Sequence, residues 1–256
     1  MPLTHADFMK LANGSDIRGV AVPGVPGEPV TLTPEAANRI AAGFIRFLAE
    51  KTGKHPDELR IAVGHDSRIS ALAIKDCVLT GITHTGAHGI DCVLASTPAM
   101  FMATIFEDTA ADGSVMITAS HLPYNRNGLK FFTPAGGTDK EDIIKILTYA
   151  SEAEEAHGTL DHVMKFDLIG RYSEYIVDKI RTALGGGAQG AGDDRAVLGA
   201  GGAQRTGEYL VPGAVEGALA VHLERVGGRR RDVVAQGEAV QRLDDLGGAA
   251  GGEAVS

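Results

Sequence analysis

The 256-residue chain has no tryptophan, two cysteines and only 5% aromatic residues. Two cysteines, Cys77 and Cys92, cannot build a disulfide framework; they fit a reducing compartment, each as a small core residue. No stretch reaches the roughly 18 apolar residues of a transmembrane helix. The first 13 residues carry His5, Asp7 and Lys10 and no long apolar run, so they do not read as a secretory signal. Basic charge is also short: 24 Lys and Arg stand against 33 Asp and Glu, a formal net charge of −9. That balance argues against a nucleic-acid surface and against an electrostatic membrane anchor. The expectation is a cytoplasmic protein with neither partner. An acidic chain can still bind an anionic ligand, because local basic residues decide that.

Other absences divide the chain. After Leu184 there is no Lys, Ile, Phe, Asn, Met or Cys, and 18 of the 34 glycines fall there. Residues with GC-rich codons dominate. Residues 185–256 read as an irregular tail, either out-of-frame translation of a GC-rich gene, which we prefer, or a native low-complexity segment. Large apolar side chains are too scarce there to offset chain entropy.

Residues 1–160 read as a well-mixed α/β sequence. Thr33-Pro34-Glu35 opens a helix with Thr33 as N-cap, and Gly53 and Pro56 end it. Ile40, Phe44, Phe47 and Leu48 give it one buried face. Short apolar strands are expected at 60–64, 89–94, 113–118 and 129–132, with helices at 70–83, 100–106 and 139–156. Repeated strand–loop–helix units indicate a layered α/β/α domain with a largely buried sheet. Ligands in such folds sit at loops beyond strand ends. A helix at 166–184 is expected to start a second domain, at 161–184.

Two loops after strands carry the candidate chemistry. Ser120 follows an apolar strand and precedes His121 and Pro123. A serine there can exchange a phosphoryl group, a reaction that asks mainly for positioning and charge neutralisation. Arg126 and Lys130 are nearby cations for the added charge. The plainer reading is a loop or N-cap serine. Asn127-Gly128 reads as a turn signal, which would fold Lys130 back beside Ser120 or leave it a surface lysine. His65-Asp66-Ser67-Arg68 could present Arg68 to a phosphate with Asp66 orienting it, or could simply cap the next helix through Asp66 or Ser67. Arg18, in Ser15-Asp16-Ile17-Arg18-Gly19, is similarly open. Three features are set aside: Gly185-Gly186-Gly187 lacks the Lys-Ser/Thr of a phosphate-binding loop, Gly192-Asp193-Asp194-Arg195 has only two carboxylates, and His84 with His88 has no third metal ligand.

Taken together, Gly14–Gly19, Gly64–Arg68, Thr118-Ala119-Ser120-His121-Leu122-Pro123 and Asn127-Gly128-Leu129-Lys130 resemble the α-D-phosphohexomutase superfamily, specifically its phosphomannomutase/phosphoglucomutase-like members. The resemblance spans about residues 10–184. It implies that Ser120 carries the phosphoryl group and that its phosphate ligates Mg²⁺. It implies that His121 and Lys130 work beside it, that Arg18 binds substrate, and that Arg68 does so or supports the loop. The implied reaction moves phosphate between the 1- and 6-positions of a hexose, primed by a hexose 1,6-bisphosphate. The choice between mannose and glucose, and the oligomeric state, stay open.

Two departures matter. Leu122 replaces an Asn of the common pattern. More severely, the family's Asp-Gly-Asp-x-Asp-Arg metal loop, its Gly-Glu-x-Ser-Gly sugar segment and its last phosphate loop do not occur. Metal affinity should fall greatly without those carboxylates, so the chain is expected to be inactive or nearly so. The alternative is a non-catalytic module that binds sugar phosphate or assembles with a partner.

Overall fold

Thr33 accepts a hydrogen bond from the Ala36 N–H and Pro34 takes the first turn, so helix α2 spans Pro34–Thr52 as its capping residues require. Gly53 closes it in the left-handed conformation, φ 73°, which glycine adopts without a Cβ penalty. In the computed structural model the described residues are 3–183. The expected tail, with its segments at 185–187 and 192–195, lies outside them. The chain divides into two compact units, 1–172 and 173–256. Of the second, the described part is the remainder of α6 (Leu168–Ala183).

The first unit is built on a mixed sheet. After the short α1 (His5–Met9) come β1 (Ala12–Asn13), β2 (Asp16–Val20), α2, β3 (Arg60–His65), α3 (Ala71–His84), β4 (His88–Leu94) and α4 (Thr97–Met102). Then follow β5 (Gly113–Ile117), β6 (Arg126–Thr133), β7 (Gly136–Gly137), α5 (Lys140–Glu152) and β8 (Met164–Lys165). The order across the sheet is β1-β2-β6-β5-β3-β4-β8, with β7 paired to β6. β3 lies parallel to β4 and β5, while β6 runs antiparallel to both β2 and β5.

Alternation along the strands creates two faces. Ile17, Ile61, Val63, Val115, Ile117, Leu129 and Phe131 point into one core with Phe44, Leu48, Ile82 and Ile146 of α2, α3 and α5. The intervening residues face the other way. There a Cβ on Gly64 would strike Met100 of α4, and Phe132 meets Phe101 edge-on. The α/β/α layering follows.

Four expectations are corrected. α4 starts earlier than residue 100, because Ser96 accepts from the Ala99 N–H and Pro98 suits the first turn. α3 is not capped by Asp66 or Ser67; its N-cap is Ser70, without a side-chain capping bond. Asn127-Gly128 is no turn: both lie inside β6, which is longer than expected, and the chain reverses earlier, where the Arg126 N–H donates to the Pro123 carbonyl. Pairing on both sides outweighs the local turn preference. Finally, residues 161–172 belong to the first unit: Met164 and Lys165 pair with β4, and the Phe166 N–H donates to the Asp91 carbonyl.

Cys92 is buried, and burial, with Asp91 beside it, pushes its thiol up to about 12. Asp91 itself pairs with Lys75 at 2.6 Å in a buried ion pair.

Candidate active site: a serine loop held by one arginine

β3 and β5 are parallel neighbours, so the loops at their carboxyl ends, 66–70 and 118–125, emerge side by side. That adjacency brings Asp66 and Arg68 to the Ser120 loop across 52 residues of sequence. Arg68 donates to three backbone carbonyls of that loop, Ser120 (2.8 Å), Leu122 (2.7 Å) and Pro123 (2.8 Å), and to that of Arg126 (3.0 Å) at the start of β6. A guanidinium presents its donors in a fixed fork, so one side chain can span such a loop. Asp66 orients it: one carboxylate oxygen lies 3.3 Å from Arg68 Nε, and the other accepts the Arg68 N–H at 3.1 Å.

The same Asp66 accepts the Thr118 hydroxyl at 2.7 Å, and Thr118 Oγ1 accepts the Ser120 N–H at 2.9 Å. Ser120 sits at φ 55°, in the left-handed region. For a residue with a Cβ this conformation costs about 1–3 kcal/mol, and surrounding contacts must hold it. Ser120 and His121 are exposed.

A second cluster lies on the sheet face that carries α4. Asp16 and Arg18 are two apart on β2, and Gly128 and Lys130 two apart on β6, with Arg18 directly opposite Gly128. Lys130 Nζ is 2.7 Å from both oxygens of Asp16, and Arg18 reaches the same carboxylate at 2.8 Å. Arg18 also donates to the Thr118 carbonyl at 3.3 Å, two residues before Ser120. Two cations on one carboxylate leave one net positive charge. All three side chains are mostly buried, at 13%, 26% and 12% exposure for Arg18, Lys130 and Asp16, so water screens them less than surface pairs.

Gly128 is what lets Arg18 cross β6. A Cβ there would come within 2.3 Å of the Ile17 carbonyl and 2.7 Å of Arg18 Cδ.

Of the five residues singled out in the sequence, Arg68, Ser120 and His121 therefore meet in one loop system. Arg18 and Lys130 meet in the adjoining cluster. The expected fold-back of Lys130 onto Ser120 is replaced by its bond to Asp16. Asp16 and Thr118 join them as residues that the motifs contain without an assigned role; their i, i+2 spacing to Arg18 and Ser120 is the one sequence signal for it. Among the described residues no three His, Cys, Asp or Glu side chains cluster as a metal site, and the Asp16 and Asp66 carboxylates are already engaged. These residues do not by themselves make a Mg²⁺ site.

Residues 9–157 match the family described as phosphoglucomutase/phosphomannomutase, alpha/beta/alpha domain I. The chain is 32% identical over 163 residues to the phosphoglucomutase/phosphomannomutase of Thermococcus kodakarensis, covering 62% of this chain and 34% of that one. It is 40% identical over 128 residues to the phosphoglucosamine mutase of Nautilia profundicola, covering 50% and 26%. A solved phosphoglucomutase/phosphomannomutase family protein from Burkholderia thailandensis shares the fold, with a TM-score of 0.52 at 21% identity, over 69% of this chain and 36% of that one. The chain thus spans between about a quarter and a third of the length of these curated relatives. With residues 9–157, more than half of the chain, matched, this chain belongs to the phosphoglucomutase/phosphomannomutase family, of which it carries domain I.

Proposed function

We propose that this domain carries the phosphoryl-accepting serine of a hexose-phosphate mutase. The observation that supports this most is the effort spent on one exposed residue: Ser120 is held in a left-handed conformation by Thr118 and Arg68. In the proposed step Ser120 Oγ forms a bond to phosphorus as the phosphorus–oxygen bond to the sugar breaks. The serine loses its proton and the sugar oxygen gains one. His121 is the exposed neighbour for proton traffic. Arg18 and Lys130 supply positive charge beside the serine strand. Arg68, whose two terminal nitrogens donate to four carbonyls, acts through the loop and not on the sugar phosphate.

The substrate class is a hexose 1- or 6-phosphate. Glucosamine phosphate joins mannose and glucose phosphates in that class, because relatives at 30–40% identity are named phosphoglucosamine mutases. A hexose 1,6-bisphosphate serves as primer and Mg²⁺ as the metal of the complete site. These 256 residues lack the metal and sugar loops, so sustained turnover is not expected from them alone.

The test uses glucose, mannose and glucosamine 1-phosphates with Mg²⁺ and labelled hexose 1,6-bisphosphate. The expected result is one phosphoryl group transferred per chain and no sustained turnover. Robust turnover would refute the second part; failure of any label to transfer would refute the first.

A further inference from the structure

The left-handed Ser120 has a specific holder. We infer that Thr118 and Asp66 are positioning residues that keep Ser120 in its reactive backbone conformation, an inference that rests on Ser120 being the phosphoryl acceptor.

Three observations converge. Ser120 is one of three non-glycine residues with positive φ among the described residues, and the only one of them in this loop. Its N–H is not free to relax, because Thr118 Oγ1 accepts it at 2.9 Å. The threonine hydroxyl cannot rotate away, because its proton goes to Asp66 at 2.7 Å. A hydroxyl has one proton and two lone pairs. Committing the proton to Asp66 leaves a lone pair for the Ser120 N–H, so the carboxylate sets the polarity of the relay. Asp66 is fixed in turn: its own N–H donates to the Ile117 carbonyl and its second oxygen takes the Arg68 N–H. The relay therefore runs from the rigid β3–β5 pairing to the one strained residue of the loop. Strain stored at a site persists only where neighbours over-determine it.

Thr118→Val keeps the shape and removes the relay; Thr118→Ser keeps the hydroxyl. Ser120→Gly removes the left-handed strain. If the relay holds Ser120 in place, Ser120→Gly should raise the melting temperature of the otherwise unchanged chain by about 2–4 °C. In a Thr118→Val background that gain should shrink by at least half, because an unheld serine has already relaxed. Thr118→Ser should leave the gain intact. The second readout is the rate of phosphoryl transfer to Ser120 from labelled hexose 1,6-bisphosphate with Mg²⁺. Thr118→Val should slow it roughly 10- to 100-fold, as small misplacements do, and Thr118→Ser should restore it.

Equal gains from Ser120→Gly in both backgrounds would overturn the relay. So would unchanged transfer in Thr118→Val. A wild-type chain that takes no label, or a Ser120→Ala variant that still does, overturns the acceptor assignment instead, and the melting cycle then still decides whether Thr118 holds the conformation.

Discussion

Removing the Arg68 guanidinium while keeping its stem, as Arg68→Met, should loosen the whole Ser120 loop. The side chain is 12% exposed and makes four hydrogen bonds to carbonyls at 2.7–3.0 Å. Each hydrogen bond to a charged group contributes about 1.5–3 kcal/mol in favourable cases. They do not add here: Ser120 and Pro123 are exposed, so their carbonyls regain water when the arginine leaves. The Leu122 and Arg126 carbonyls belong to partly buried residues, and Asp66 would lose its partner at Nε. A loss of about 3 kcal/mol follows, which for a chain of this size corresponds to a melting temperature lower by roughly 6–12 °C. Arg68→Lys supplies one compact ammonium, which cannot span four carbonyls, and should recover less than half. Urea denaturation gives the free energy, and amide exchange over 120–126 gives the local effect. A loss below about 1 kcal/mol for Arg68→Met, or a wild-type Arg68→Lys, would refute the clamp.

Other outcomes follow from the same contacts. Gly128→Ala should cost about 1–3 kcal/mol, as overpacking does, because the new Cβ meets the Ile17 carbonyl and Arg18; a neutral urea midpoint would contradict the close approach. Hydrogen bonds from Asn125 and then Arg126 hold Glu28 below the usual carboxylate range, as Lys145 and then Tyr149 do for Glu50, and Arg171 for Asp108. Groups lowered in the folded state contribute stability above their unfolded values, which is lost as pH falls through the folded ones. The melting temperature should therefore drop progressively on acidification below about pH 4.5, and a flat profile between pH 5 and about 3 would count against these contacts. Cys92, with its thiol pushed up to about 12, should resist iodoacetamide in the native protein at neutral pH and react after unfolding.

Much of the fold was readable because local chemistry and tertiary structure agree in it. Thr33, Pro34 and Gly53 bound α2 by capping rules, and the apolar strands alternate toward the helices they pack on. The misreadings came where tertiary pairing decides. Asn127-Gly128 has a turn composition, yet β2 and β5 on either side hold it extended, and a buried bond from Asn127 to Ser70 fixes it. The short α1 was missed although Thr4 and Asp7 form a capping box. In the candidate site, motif order points to Arg18, Arg68, Ser120, His121 and Lys130, but not to which of them touch. Asp16, which the sequence assigns no role, is the hub for two cations. Arg68 could present itself to a phosphate on sequence grounds, and its two terminal nitrogens donate to the Ser120 loop instead. Such partnerships depend on strand order, which no local window encodes.

The most direct test of the central claim is to locate the transferred phosphate. Purified chain is incubated with hexose 1,6-bisphosphate and Mg²⁺, digested, and mapped by mass spectrometry at residue resolution. The account predicts a single phosphoryl group on Ser120, absent in Ser120→Ala, with none on Ser67, Ser70 or Ser114. Phosphate on another serine, or an unmodified Ser120 under conditions that load a full-length relative, would contradict it.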